Sequence, residues 1–100
     1  AYFEGIEGRV FASGHSHVQY RWTDGTRLYC NPGSVGQPRD GNPDAAFAIW
    51  TGQAFDLRRV PYPIEQTEQA MVAAGFSPYF YENLRKGSRI GGRIDTPPVA

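Results

Sequence analysis

The chemistry this sequence offers is concentrated in Gly14-His15-Ser16-His17, which contains both of the chain's histidines. The motif follows directly on Gly8 to Ser13 (GRVFAS), the best strand candidate. Where a strand ends and the backbone curls, residues i and i+2 can turn two imidazoles toward one point, and Gly14 lets the chain approach that point without a Cβ in the way. Imidazole nitrogen suits zinc, copper, iron, nickel and, beside carboxylates, manganese. A plainer reading stands beside this one, in which one histidine packs under the following hairpin and the other is solvated.

Two imidazoles do not complete a site, because zinc takes four ligands, or three and a water. Within the chain the candidates for the rest are Cys30, Asp24, Asp40 and Asp44, none at a familiar spacing, so the missing ligands are expected outside this sequence. The other catalytic possibility is a serine nucleophile, Ser13, Ser16 or Ser34, activated by a histidine. No strained elbow of the G-x-S-x-G type is present, and Ser34 in Pro32-Gly33-Ser34 reads as a turn or cap residue.

The elements that must position the histidines follow from periodicity. In Gly8 to Ser13, Val10 and Ala12 face one side and Phe11 the other, the two-sided apolar pattern of a strand inside a sheet. Val18, Tyr20 and Trp22 alternate with Gln19 and Arg21, Asp24-Gly25 is a hairpin turn signal, and Leu28 and Cys30 resume the alternation. Asn31 to Asp44 (NPGSVGQPRDGNPD) cannot be regular structure, since its prolines interrupt pairing and its glycines admit positive φ. A loop of that length in a short chain is commonly functional. A second hairpin is expected from Ala46 to Thr51 and Ala54 to Val60 across Gly52-Gln53. Pro63 opens a helix over Ile64 to Ala74, closed by Gly75 with Phe76 placed to pack back on Met71. A further helix is expected from a Ser77 cap and Pro78 to Gly87. Residues 88–100 read as a tail, and no internal repeat is present.

The domain division is accordingly 1–62 for the β-rich core, 63–87 for the terminal helices of the same domain, and 88–100 for the tail. One hundred residues suffice for one domain or part of one. The chain opens at Ala1-Tyr2-Phe3-Glu4 directly in a structured pattern, as expected of a sequence entered part way through a fold. Ten basic and ten acidic residues cancel to zero net charge, so no bulk field collects nucleic acid or an anionic membrane. At 40% hydrophobic residues the chain can bury a core. One cysteine, Cys30, excludes an internal disulfide and suits a reducing cytoplasm. No apolar run approaches the roughly 20 residues of a membrane span, and no secretory h-region precedes Glu4.

The strand ending in GHSH, the string YCNPGSVGQPRDGNPDAAFAIW and the final segment IEQTEQAMVAAGFSPYFYENLRKG together resemble the calcineurin-like metallophosphoesterase superfamily. The nearest branch is the small prokaryotic phosphodiesterases with a Gly-His-Thr-His motif followed by Asn-Pro-Gly-Ser-Val-Gly. The resemblance covers Gly8 to about Gly87. It implies an α/β fold, the carboxyl-terminal half of a four-layer α/β/β/α sandwich in which β-hairpins are followed by one or two helices. It also implies a phosphoesterase, phosphatase or phosphodiesterase, working with two divalent ions, Mn, Fe or Zn. His15 and His17 are then metal ligands, one to each ion of a pair about 3.5 to 4 Å apart.

The family's Asp-x-His, Gly-Asp and Gly-Asn-His motifs belong to an amino-terminal half and do not occur here; Gly41-Asn42 is followed by Pro43. The missing half of the fold is therefore an implied partner, and no catalytic acid is expected on this segment. Arg39 is the cation expected to reach a substrate phosphate, since a guanidinium matches phosphate oxygens in a bidentate way; a loop salt bridge to Asp40 or Asp44 is the competing role. Asn31 to Ser34 reads as architecture holding the loop beneath the metal site. The aromatics Tyr20, Trp22, Tyr29, Phe47, Trp50 and Phe55 are core or hairpin packing, with only an exposed Tyr20 or Trp22 placed to stack on a nucleobase.

The substrate implied is a phosphorylated small molecule or nucleotide-type compound, with no membrane and no bulk nucleic-acid binding. Two other readings compete: a non-catalytic scaffold of the same fold used for protein assembly, and a small zinc module with Cys30 as third ligand.

Overall fold

The computed structural model describes residues 9–98, and the two ends of the chain beyond them lie outside the description below. The first sheet contains β1 (Val10–Ala12), β2 (Tyr20–Thr23) and β3 (Leu28–Asn31), in the order β1-β3-β2. β1 runs parallel to β3, with Val10 opposite Leu28 and Ala12 opposite Cys30. β2 runs antiparallel to β3, with Tyr20 opposite Asn31 and Thr23 opposite Leu28. The carboxyl ends of β1 and β3 and the start of β2 therefore coincide. The histidine loop crosses over Asn31, and the proline-rich loop departs from the same place.

The turn between β2 and β3 is built by Asp24, whose carboxylate accepts the Thr26 and Arg27 amides at 2.9 and 2.7 Å and the Arg27 guanidinium at 3.0 Å, while Gly25 takes φ +90°. These donors, the Arg27 amide foremost, draw the Asp24 pKa down to about 2.

The second sheet is the hairpin of β4 (Ala45–Trp50) and β5 (Phe55–Val60), with Ala45 opposite Val60 and Trp50 opposite Phe55. Gly52 turns it at φ +93°, and the Trp50 and Phe55 rings lie 5.0 Å apart. Backbone hydrogen bonding does not join the two sheets. Side chains do: Arg21 donates to the Phe55 carbonyl at 2.8 Å, and the Gln19 amide donates to the carbonyls of Phe47 and Arg58 at 3.1 and 2.9 Å. Among the described residues the buried hydrophobic side chains are Val18, Cys30, Ala45, Ala46, Phe55 and Leu84.

α1 (Ile64–Ala73) begins after Pro63 and ends in a Schellman arrangement. Phe76 N–H bonds the Met71 carbonyl and Gly75 N–H the Val72 carbonyl, both at 3.0 Å, with Gly75 at φ +91°. Its half-buried residues Ile64, Glu68 and Met71 follow helical spacing. Glu68 receives a bidentate bond from Arg85, Nη2 to Oε1 at 2.6 Å and Nε to Oε2 at 3.0 Å, which ties the helix to the segment after it. Among the described residues no helix is long and apolar enough to cross a membrane.

One expectation is corrected. The second helix is replaced by 3-10 turns at Pro78–Phe80 and Glu82–Arg85, separated by Tyr81 at φ −134°. The consecutive aromatics Tyr79, Phe80 and Tyr81 lose side-chain freedom in a helix, and Tyr79 and Phe80 instead pack edge to face at 5.4 Å. Among the described strands β1 pairs with β3 alone, and Val10 is 44% exposed; the neighbour expected on its other side lies outside the described residues.

Two glycines give a paired stability prediction. Gly87 has φ +63°, and a Cβ there would stand 2.6 Å from the Asn42 carbonyl carbon and 2.7 Å from its nitrogen; Gly52 has φ +93° with nothing within 4 Å. Gly52→Ala is expected to cost about 1 kcal/mol, the left-handed penalty alone. Gly87→Ala is expected to cost at least about 3 kcal/mol, because the Asn42 backbone must also move, and urea midpoints measure both. A second prediction concerns acid. Because the folded-state pKa of Asp24 lies below its ordinary value, its contribution to stability is present above about pH 4 and lost as pH falls through about 2. Asp24→Asn should flatten that part of the acid-unfolding curve.

Candidate active site

Both histidines of GHSH have left-handed backbone, His15 at φ 87° and His17 at φ 60°. Histidine tolerates this region better than most residues, though it remains uncommon. Gly14, expected to supply the close backbone approach, does not adopt a positive φ, and a Cβ there would meet nothing within 4 Å. The histidines themselves make the turn.

Six hydrogen bonds hold it. The fully buried Asn31, where β3 ends, donates its amide to Ser16 Oγ at 2.9 Å and to the Gly14 carbonyl at 3.4 Å, and accepts the Gly33 N–H at 3.0 Å. Ser16 Oγ also accepts the Val18 N–H at 3.3 Å. The His17 carbonyl accepts the Arg39 N–H at 3.0 Å, and the Gln19 N–H donates to Asp40 Oδ2 at 3.1 Å. Ser34 acts within its own turn, its hydroxyl accepting the Gln37 N–H at 2.9 Å and its carbonyl the Ala46 N–H at 3.0 Å. Asn31 to Ser34 is thus the support beneath the histidine loop.

The ring of His17 is fixed. Its Nδ1 lies 2.8 Å from the Gln37 carbonyl oxygen, which can only accept, so Nδ1 carries the proton and, in the neutral ring, Nε2 keeps its lone pair. This is the arrangement by which an outer partner orients a metal-binding imidazole. His15 is exposed and lines a cavity of about 450 Å³ together with Ser16, Arg39, Arg89, Asp95 and Thr96.

Arg39 reaches that cavity but pairs with neither carboxylate considered for it. Its Nη2 and Nε donate to Gln37 Oε1 at 2.8 and 3.3 Å. Asp40 pairs instead with Arg59, whose Nη1 also bonds the carbonyls of Asn42 and Asp44 at 3.2 and 3.1 Å. Gln37 thus serves both site candidates, His17 through its backbone and Arg39 through its side chain. Cys30 is 1% exposed within β3, and burial pushes its thiol pKa up. Among the described residues no three His, Cys, Asp or Glu side chains converge on a point, which removes Cys30 as a third ligand. The serine readings fare no better: Ser16 is held by Asn31, Ser34 by its turn, and Ser13 by a hydrogen bond with the Tyr29 hydroxyl.

Residues 88–98 supply a wall of the cavity beside His15 that sequence reasoning missed. Read as a tail, they return across the proline-rich loop, with Gly41 N–H bonding the Gly87 carbonyl at 2.8 Å and Asp95 N–H the Arg39 carbonyl at 2.7 Å. Arg89 Nε donates to Asp95 Oδ2 at 2.6 Å, and Arg93 Nε to Oδ1 at 3.1 Å. Gly87 just before this stretch and Gly91 and Gly92 within it have positive φ, and their clustering was the available signal of a built turn.

The model of the calcineurin-like phosphoesterase superfamily domain matches residues 3–54. The structure is similar to the crystal structure of a metallophosphoesterase from Sphaerobacter thermophilus, with a TM-score of 0.78 and 29% identity over 85% of this chain and 45% of that one. The chain therefore spans under half the length of that relative, and its α/β architecture is that of part of the metallophosphoesterase fold. No curated protein matches. With GHSH and the turn that supports it both inside the matched region, this chain belongs to the calcineurin-like phosphoesterase superfamily.

Proposed function

We propose that this chain forms the carboxyl-terminal wall of a dinuclear metal-dependent phosphoesterase, a cytoplasmic hydrolase of phosphodiester or phosphomonoester bonds in a phosphorylated small molecule or nucleotide-type substrate. His15 and His17 each give an imidazole to a different ion, with Mn, Fe and Zn as the candidates in that order. The amino-terminal half of the same fold is to supply the other ligands and the group that assists the leaving oxygen. The observation that carries this reading is the His17 ring, locked through Nδ1 on the Gln37 carbonyl at 2.8 Å with Nε2 left as the donor. A non-catalytic scaffold has no need of that tautomer.

Divalent ions at such a site supply positive charge against phosphoryl oxygens and acidify water. The chain's own residues do the positioning. Asn31 and the Arg39 amide fix the loop so that the two rings have set directions. Arg39, bonded to a neutral amide, keeps its full charge for a phosphate oxygen, a contact that binds and orients substrate.

In the whole protein, turnover of an aryl phosphodiester should require added Mn²⁺ and disappear with chelator; activity that survives exhaustive chelation contradicts the reading. His15→Ala and His17→Ala should each lose one of two ions by elemental analysis while the fold persists. Their loss of turnover should exceed the roughly 10 to 100-fold that follows removal of an outer-shell partner. Cys30→Ala should keep both ions, and Arg39→Ala should act mainly on KM. Asn31→Leu leaves Ser16, the Gly14 carbonyl and the Gly33 amide without their buried partner. It should cost about 2 to 3 kcal/mol of stability and weaken metal binding although Asn31 touches no metal.

A further inference from the structure

The cavity beside His15 is lined by a second guanidinium besides that of Arg39. Arg39 contributes a guanidinium whose side-chain partner among the described residues is the neutral Gln37 amide. Arg89 contributes a second on the same wall, where Thr96 adds a hydroxyl. Their neighbour Asp95 is the one carboxylate lining the cavity, and it is shared between Arg89 and Arg93. Two guanidiniums and one carboxylate thus line the cavity, and Arg93, outside its lining, shares that carboxylate with Arg89. The volume, about 450 Å³, falls in the range that encloses a whole small ligand and far exceeds a phosphate ion.

The Arg89 wall is a built structure. Its root is Asn83, fully buried, whose amide donates to the buried Ser88 carbonyl at 3.1 Å. Beyond it, Arg89 N–H bonds the Arg93 carbonyl at 2.8 Å and Gly92 N–H the Arg89 carbonyl at 2.9 Å, a tight turn that aims Arg89 back at Asp95. Asp95 closes the turn onto Arg39 through its own N–H. A guanidinium already oriented by a carboxylate loses little freedom when it engages an anion.

Resting on the phosphoesterase reading above, which leaves Arg39 to the phosphate that is cleaved, we propose that residues 88–98 complete the substrate pocket and that Arg89, with Thr96, receives a second phosphate group of the substrate, remote from that ester. Arg89 is then a specificity-determining residue, and the substrate class is phosphate esters bearing an additional phosphate.

The test is calorimetric titration of the whole, Mn²⁺-loaded protein with adenosine 5′-monophosphate and adenosine 3′,5′-bisphosphate, beside metal content and aryl phosphodiester turnover of the same samples. The bisphosphate is expected to bind about tenfold tighter, with the preference shrinking between about 50 and 200 mM salt. Arg89→Gln should bring the two affinities within about threefold of each other, and Arg89→Lys should keep part of the preference because it keeps the charge without the fork. Equal affinities in the unaltered protein, or a preference that survives Arg89→Gln, overturn the proposal. If Arg89→Gln does not fold, the Arg89→Lys value and the salt dependence decide: no change in either overturns it. Normal metal content and turnover without a bisphosphate preference contradict this proposal alone. Absent metal and turnover with an Arg89-dependent preference contradict the phosphoesterase reading alone.

Discussion

Two histidines one residue apart, both in left-handed backbone, are the constraint around which this structure is arranged. Each such residue costs about 1 to 2 kcal/mol against ordinary conformations, so the turn at His15 and His17 persists only where its surroundings over-determine it. Asn31 supplies the largest share, reaching Ser16 and Gly14 with one amide and fastening its own loop through Gly33 with the other end. The Arg39 amide on the His17 carbonyl and Asp40 on the Gln19 amide fix the far side. A loop released from these contacts would relax toward ordinary φ, and both rings would lose their set directions.

The supports are themselves supported, in a definite order. Asp40 is held by Arg59 of β5, and the Arg59 Nε donates to Gln19 Oε1 at 3.0 Å, so loop, sheet hairpin and histidine segment share one polar junction. Gln19 uses its remaining donors on β4 and β5, joining sheets that no backbone ladder connects. Close packing completes the junction at Gly33, where a Cβ would stand 2.9 Å from that of Ala46 and 3.0 Å from that of Gln19. This explains how a chain with few buried large side chains holds its two sheets in register: the link is made by amides and guanidiniums on carbonyls, which are directional.

What was legible in the sequence was local. Asp24-Gly25 and Gly52-Gln53 announce their hairpins because turn residues act within a few positions, and Gly75 announces the end of α1 for the same reason. GHSH and Asn-Pro-Gly-Ser announced the family through their resemblance. The amide contacts did not show. Nothing in the polarity of Gln37 tells that its carbonyl meets a ring 20 positions away, and Arg59 reads as one more polar residue of an alternating strand until Asp40 is placed beside it. Residues 88–98 misled because a run of Gly, Arg and Pro lacks periodicity whether it is ordered or not; order there comes from Asn83, Gly87 and the carboxylate of Asp95. Helical propensity over 78–87 lost to the packing of adjacent aromatic rings.

The central claim, that this loop presents His15 and the Nε2 of His17 to two different ions, is tested most directly by nuclear magnetic resonance of the whole protein loaded with ¹¹³Cd and labelled with ¹⁵N in histidine. The account predicts two cadmium resonances, one coupled to a His15 ring nitrogen and the other to His17 Nε2, with His17 Nδ1 still protonated toward the Gln37 carbonyl. Coupling of both rings to a single cadmium, coupling through His17 Nδ1, or no coupling at either ring would contradict it.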